Sequence, residues 1–169
     1  MKQFSTRDIV QIALVAAIYV ILTITPPLNA ISYGVYQFRI SETLNFLAFY
    51  NRKYIISLTL GCMIANFFSF GLIDVFVGGG STLVFVTLGV VLFNKYKGQR
   101  ILGSLFDKSF FIFSFFFAAS MFTVAAELAI IAGLPFFLTW FTTGIGELAS
   151  LLIGAIICDR VSKVIDFTR

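Results

Sequence analysis

The stretch FFLTWFTTGIGELASLLIGAIIC at residues 136–158 decides the fold class, because it is long, apolar and carries a single charge. A helix needs roughly 20 predominantly apolar residues to span the hydrocarbon core of a membrane. The whole chain of 169 residues has the same character, with 59% hydrophobic and 12% charged residues and a mean hydropathy of +0.99. Soluble domains carry about 25% charged residues. The composition therefore predicts an integral membrane protein.

Apolar runs recur along the chain and predict one membrane domain without internal repeats. Helix-breaking residues separate the runs, namely Pro26-Pro27, Asn51, Phe70-Gly71 and Gly133-Leu134-Pro135. The run Arg39–Tyr50 is short, so its helix is predicted either to begin a little earlier or to end before the far interface. We predict an all-α integral membrane protein with six transmembrane helices, at residues 9–25, 36–50, 54–68, 72–93, 109–132 and 136–158.

The distribution of Lys and Arg predicts the orientation of the chain. With six helices and a cytoplasmic N-terminus, all of the 12 basic residues except Arg39 fall on the cytoplasmic side, as the positive-inside rule requires. We therefore predict a multi-pass protein of the cell membrane with cytoplasmic N- and C-termini, and no nucleic-acid partner. The basic residues predicted inside are Lys2, Arg7, Arg52, Lys53, Lys95, Lys97, Arg100, Lys108, Arg160, Lys163 and Arg169.

Missing residue types argue against several kinds of enzyme. The chain has no histidine, which removes Ser-His catalysis and most catalytic zinc sites. It has no Gly-x-x-x-x-Gly-Lys sequence, and so no P-loop for ATP hydrolysis. Cys62 and Cys158 lie far apart in apolar runs and are interpreted as small core residues. We predict no metal and no cofactor in this chain.

Polar groups inside the predicted spans are the candidates for function. An ionisable group at the centre of a membrane helix costs roughly 2.5–3.5 kcal/mol on insertion scales, so each one needs a reason. On the predicted topology they concentrate in the outer half of the membrane, which a binding site open to the exterior would explain. The candidate substrate-binding residues are Arg39, Glu42, Asn45, Asn66, Asp74, Glu127, Trp140 and Glu147.

Structural roles for some of these residues remain open. Arg39 and Glu42 are three apart and could neutralise each other on one helical face. Asp74 stands near a helix start and could act as a cap. Glu127 and Glu147 have no basic neighbour in sequence, so each must pair with Arg39, share a proton or face a ligand.

Three further features predict contacts without fixing the partner. Trp140 shares a helical face with Glu147 and could stack on a planar ligand or anchor at the membrane interface. Three glycines at residues 78–80 cost about 1 kcal/mol each against alanine, which indicates a kink, or backbone that faces a ligand or a neighbouring helix. Ala13 and Ala17 form a small-x-x-x-small pattern, which allows close helix approach.

Four short sequences occur together in this chain: QFRISE at 37–42, GCMIAN at 61–66, DVFVG at 74–78 and GIGE at 144–147. With the alanine pattern of the first helix, they resemble the QueT family among the substrate-binding S components of energy-coupling factor (ECF) transporters. The resemblance runs over nearly the whole chain. It implies a small-molecule substrate, and as partners a transmembrane coupling subunit and two cytoplasmic ATPase subunits, which use the ATP. Ala13 and Ala17 would then form the docking surface.

The resemblance also implies a substrate class, since the family is associated with queuosine precursors, which are deazaguanines. One carboxylate can accept both N–H donors of a deazaguanine edge, and an aminomethyl cation would seek a second carboxylate. We expect Glu147 at the ring edge, Glu127 or Asp74 at the amine and Trp140 stacked on the ring. Asn45 and Asn66 would orient the ring, and Arg39 would hold Glu42 in place.

Other functions stay open at this point. An S component for a vitamin such as hydroxymethylpyrimidine or pyridoxine would use the same residues less fully. A small stand-alone carrier would need a polar path through both leaflets, and the inner half of the predicted bundle offers none. An intramembrane enzyme is disfavoured by the lack of histidine and of clustered metal-binding aspartates.

Overall fold

The computed structural model describes residues 4–69 and 71–168. Its regular structure is almost entirely helical, with one short antiparallel hairpin. The α-helices are α1 (Thr6–Ile24), α2 (Pro26–Ser32), α3 (Lys53–Phe67), α4 (Leu72–Phe93), α5 (Lys108–Ala119), α6 (Phe122–Ala132) and α7 (Phe136–Val161). Ile40–Phe49 and Asn94–Tyr96 are 3₁₀-helices, and strands β1 (Arg100–Ile101) and β2 (Phe106–Asp107) form the hairpin.

Four helical stretches are long and apolar enough to cross a membrane, which confirms an all-α, multi-pass membrane protein. They are Thr6–Ile24, Leu72–Tyr96, Lys108–Ala132 and Phe136–Val161, while α3 is apolar but shorter. Six crossings and cytoplasmic termini stay predictions. Three residues used in the sequence argument, Lys2, Phe70 and Arg169, lie outside the described residues.

The predicted helix at 36–50 differs most from the structure. Residues 33–39, here called the strap, are not helical, and Gln37 adopts a left-handed backbone with φ of +44°. The helix begins at Ile40 and is a ten-residue 3₁₀-helix, here called the 3₁₀ segment. At about 2 Å per residue it covers roughly 20 Å, less than the hydrocarbon thickness. The prediction that it begins at residue 36 is wrong.

The 3₁₀ segment forms the centre of the core. Most of its residues are buried, because α1, α3 and α7 pack around it. Phe46 and Phe49 contact Phe110 and Phe113 of α5, with ring centroids 4.6–5.6 Å apart. Such aromatic pairs bury large apolar areas and favour edge-to-face contact. The segment is thus surrounded by protein, and its own side chains reach the polar region described below.

Two predicted helices are resolved differently by the structure. Residues 109–132 form α5 and α6, with an interruption at Ser120-Met121, rather than one continuous helix. In α4 the three glycines produce no break, since the helix runs from Leu72 to Phe93. A Cβ at Gly78 would lie 2.0 Å from Asn66 Nδ2, and one at Gly79 would lie 2.3 Å from Met63 Cγ. These glycines therefore admit the neighbouring helix α3.

The basic end of the molecule is built around the β1–β2 hairpin and is here called the hairpin end. Lys53 Nζ lies 2.7 Å from Asp8 Oδ1, and Arg100 Nη1 lies 2.8 Å from Asp159 Oδ2. Lys97 Nζ donates to the carbonyl of Phe49 at 2.9 Å. Its partial burial lowers the pKa of Lys97 below the ordinary value. Ion pairs and hydrogen bonds thus join the helix ends there.

Candidate functional site

Four carboxyl groups from four different elements converge within the bundle, and are here called the acid cluster. Glu42 comes from the 3₁₀ segment, Asp74 from α4, Glu127 from α6 and Glu147 from α7, and their exposed fractions are 2%, 2%, 6% and 1%. Each lies close enough to the Arg39 guanidinium to interact with it electrostatically. The fold thus gathers sequence-predicted candidates that are more than 100 positions apart in the chain.

Most oxygens of the acid cluster have no hydrogen-bond donor among the described residues. Both carboxylate oxygens of Glu127, both of Glu147 and Oδ2 of Asp74 are buried and unpaired, as is Oδ1 of Asn45. Asp74 and Glu127 interact directly through their side chains, and two adjacent carboxylates repel unless a proton or a cation lies between them. All six atoms are acceptors, and Arg39 forms no ion pair with the described acids, so these oxygens lack hydrogen-bond donors.

Glu42 is the exception within the acid cluster. It accepts hydrogen bonds from the Tyr19 hydroxyl and from Asn45 Nδ2. Arg39 does not pair with it: among the described residues Arg39 forms no ion pair, and its Nε donates to the carbonyl of Ser32 at 3.3 Å. The expected direct pairing of Arg39 with Glu42 is thus not observed among the described residues; hydrogen bonds from α1 and the 3₁₀ segment hold Glu42, and Arg39 acts on it at longer range.

Asn66 is fixed in the polar region from two sides. Its Nδ2 donates to the Asp74 carbonyl at 3.2 Å, and its Oδ1 accepts from the Tyr33 hydroxyl at 3.0 Å. Asp74 lies in the first turn of α4, but no side-chain hydrogen bond from the described residues caps that helix. The carboxyl of Asp74 thus makes no capping hydrogen bond and is near the other acids.

A cavity of about 330 Å³ lies beside the acid cluster. Its wall includes Tyr33 and Gln37 of the strap and Thr143 of α7. Neighbours of the acids form this wall, since Leu128, which directly follows Glu127, also lines it. The four acids themselves do not line it. The strap thus forms part of the cavity wall, and the acids are buried without reaching the cavity surface in this conformation.

Trp140 is placed away from this cavity. Its Nε1 donates to the Ala119 carbonyl at 2.9 Å, and its ring contacts Phe122 and Phe136. It lines a separate apolar groove of about 390 Å³ between α5 and α7. The structure thus does not bring Trp140 to the cavity beside the acid cluster, where stacking on a substrate was expected.

Sequence reasoning did not assign roles to several residues that complete the site. Tyr19 and Tyr33 donate to predicted site residues, and Gln37 lies within the strap in a left-handed conformation that a non-glycine residue rarely adopts. Tyr19 could have been recognised as a hydroxyl on the inward face of an apolar helix, whereas Tyr33 lies in the non-helical strap. Nothing in the sequence indicates the left-handed backbone of Gln37.

The predicted docking residues Ala13 and Ala17 are exposed beside a groove of about 490 Å³ between α1 and α3.

Comparison with known proteins places this arrangement in a family. The QueT transporter family matches residues 9–163. The queuosine precursor transporter QueT of Lactococcus lactis subsp. cremoris (strain MG1363) is 57% identical over 169 residues, which covers 100% of both chains. No solved structure matches the chain significantly. The chain therefore belongs to the QueT transporter family.

Proposed function

We propose that this chain is the substrate-binding S component of an ECF-type importer, and that it binds a queuosine precursor of the deazaguanine class outside the cell. The observation that carries this proposal is the set of six buried acceptor atoms without donors. Leaving buried polar groups unpaired costs roughly 1–3 kcal/mol each. A ligand rich in N–H groups would recover that free energy on binding.

The chemistry of an aminomethyl deazaguanine fits these acceptors. Its guanine-like edge offers two adjacent N–H donors to one carboxylate, for which Glu147 is the candidate because both of its oxygens are unpaired. Its ammonium group would bind between Asp74 and Glu127 and offset their repulsion. The neighbouring cavity of about 330 Å³ falls within the size range of small-molecule sites, roughly 300–1,000 Å³. Asn45 would supply one further acceptor.

The topology of the proposed importer has six crossings and both termini in the cytoplasm. The hairpin end would face the cytoplasm, since Arg52, Lys53, Lys97, Arg100 and Lys163 belong to it, in keeping with the positive-inside rule. The acid cluster and the strap would then face the exterior. An S component needs this arrangement to receive its substrate from outside.

The partners of the proposed importer are a transmembrane coupling subunit and two ATPase subunits. The groove beside Ala13 and Ala17 supports a helix-docking role, because small residues let helices approach closely. Replacing both alanines with leucine should abolish copurification of the partners from mild detergent. Ala132→Leu, the same change at another exposed position, is the control. If the wild-type protein copurifies without an ATPase, the chain is a stand-alone carrier.

Direct binding tests the substrate. Purified protein in lipid nanodiscs is titrated with an aminomethyl deazaguanine, with hydroxymethylpyrimidine and with pyridoxine. We expect the deazaguanine to bind most tightly because it pairs with the most acceptors. Tighter binding of either vitamin would refute the deazaguanine proposal and leave the importer class standing. Native mass spectrometry of freshly purified protein would identify a retained ligand independently.

A further inference from the structure

The interruption between α5 and α6 breaks regular helical hydrogen bonds inside the candidate span Lys108–Ala132, so some backbone groups need other partners. Unpaired backbone groups are costly in hydrocarbon, because no water can replace the lost partner. In a continuous helix the Thr123 N–H would donate to the Ala119 carbonyl, but here it donates to Ser120 O at 3.1 Å. The Ala119 carbonyl instead accepts from Trp140 Nε1 at 2.9 Å.

This hydrogen bond joins α7 to the last residue of α5, just before α6 begins. The indole contacts two rings, with centroid distances of 6.3 Å to Phe122 and 6.0 Å to Phe136. A second bond, from Ser81 Oγ to Thr123 Oγ1 at 2.8 Å, ties the start of α6 to α4. Two side-chain bonds from neighbouring helices therefore fix the first turn of α6.

The position of α6 matters because this short helix carries Glu127. Glu127 is the sixth residue of α6, about 7.5 Å along the helix from Phe122. The helix packs against α4, and the carboxyls of Glu127 and Asp74 are near enough to interact. The helix has only 11 residues and ends at Gly133 in a left-handed conformation. A shift at its first turn would therefore move the carboxyl of Glu127 relative to Asp74.

We propose that Trp140 is a positioning residue for the cationic group of the substrate. By holding the Ala119 carbonyl it sets the position of α6, and thereby the distance between Glu127 and Asp74, without touching the substrate itself. This inference rests on the proposed function, since it takes these two acids as the site of the ammonium group. It assigns Trp140 to neither of the roles considered from the sequence, ring stacking or interfacial anchoring.

The test compares a cationic and an uncharged probe in nanodiscs, the aminomethyl deazaguanine and the corresponding cyano deazaguanine. Trp140→Phe keeps an aromatic ring and removes the indole N–H. We expect affinity for the cationic probe to fall roughly fivefold, the equivalent of one hydrogen bond, and affinity for the cyano probe to stay unchanged. Phe137→Leu, an exposed aromatic change in the same groove, should leave both affinities unchanged.

Two further variants separate positioning from other roles. Thr123→Val, which removes the Ser81 bond at the same end of α6, should produce the same selective loss, even if Trp140→Phe fails to fold. In a Glu127→Gln background, Trp140→Phe should have no further effect on the cationic probe. Equal losses for both probes, or additive losses in the double variant, would overturn the positioning role alone. If the wild-type protein binds neither probe, the proposed function fails and this inference fails with it.

Discussion

The hairpin end and the acid cluster hold four acidic residues each, but they differ in how many of the carboxylates have a hydrogen-bond or ion-pair partner. At the hairpin end every carboxylate has a partner: Asp8 pairs with Lys53, Asp159 pairs with Arg100, and Asp107 and Asp166 accept from nearby backbone N–H groups. In the acid cluster only Glu42 is satisfied by more than one hydrogen bond. Five carboxylate oxygens of the other three acids have no donor among the described residues.

The difference separates acids that stabilise the fold from acids that the proposed function assigns to substrate binding. A satisfied carboxylate contributes to folding, whereas an unpaired buried one opposes it. The acid cluster also occupies the costlier environment, because it lies within the bundle, while the acids of the hairpin end lie at helix ends and loops. A protein tolerates such a cost where the same groups bind a substrate.

The largest expected effect comes from Glu147→Gln, which removes one charge from the acid cluster at nearly constant shape. We expect affinity for the aminomethyl deazaguanine to fall at least tenfold, in line with loss of a charged hydrogen bond worth about 1.5–3 kcal/mol. The melting temperature should stay equal or rise, because an unpaired buried carboxylate has been removed. Isothermal titration and thermal unfolding measure the two quantities on one preparation.

Asp159→Asn is the matched control at the hairpin end. It removes the partner of Arg100 and should lower stability by about 1 kcal/mol or less, since Arg100 is partly exposed. Its substrate affinity should be unchanged. Unchanged affinity in Glu147→Gln, or weakened affinity in Asp159→Asn, would break the distinction between the two regions.

The next effect concerns two glycines of α4 that are close in sequence but differ in their surroundings. Gly78→Ala should destabilise the protein by about 1–3 kcal/mol through overpacking, because its Cβ would lie 2.0 Å from Asn66 Nδ2. Gly80→Ala meets nothing within 4 Å and should be neutral or stabilise by up to about 1 kcal/mol. Thermal unfolding in detergent compares them, and equal shifts would contradict the close packing of α3 on α4.

The sequence predicted the membrane class and most helix ends because apolar length and Pro or Gly breaks are local signals. The predicted 72–93 coincides with α4, and α1 ends just before Pro26. Helix α2 was also missed, because it begins at Pro26-Pro27, which were interpreted as a break. Two other differences have non-local causes. The interruption at Ser120-Met121 contains neither Pro nor Gly, and bonds from Trp140 and Ser81 on other helices surround it. The 3₁₀ segment is buried between three helices, so its apolar run says nothing about membrane thickness.

The acidic residues of the candidate site were predictable from the sequence, but several other members and the geometry were not. Charged residues in apolar runs are conspicuous, and four of them do converge. Which oxygens are satisfied depends on side chains from distant elements, such as Tyr19 for Glu42 and Tyr33 for Asn66. Spacing alone favoured an Arg39–Glu42 pair, but the strap turns Arg39 toward the Ser32 carbonyl.

A smaller effect should follow from Tyr19→Phe, which changes the satisfied member of the acid cluster. The variant keeps the buried ring and removes one of the two hydrogen bonds to Glu42, so we expect a loss of about 1–2 kcal/mol in stability. Tyr36→Phe, at an exposed tyrosine of the strap, should change nothing. If Tyr19→Phe is as stable as the wild type, Glu42 is no structural anchor and belongs with the unpaired acids.

The smallest effect should distinguish the two cations beside Asp159. Arg100 contacts it at 2.8 Å, whereas Lys163 lies at 3.7 Å and its side chain is 58% exposed. Exposed ion pairs contribute about 0–1 kcal/mol and are screened by salt. Lys163→Gln should therefore cost only a few tenths of a kcal/mol, and high salt should abolish the difference from wild type. Arg100→Gln should cost more and depend less on salt, because Asp159 itself is buried. Equal losses that high salt abolishes would mean that both pairs are ordinary surface ion pairs. The buried position of Asp159 would then add nothing to the stability of the hairpin end.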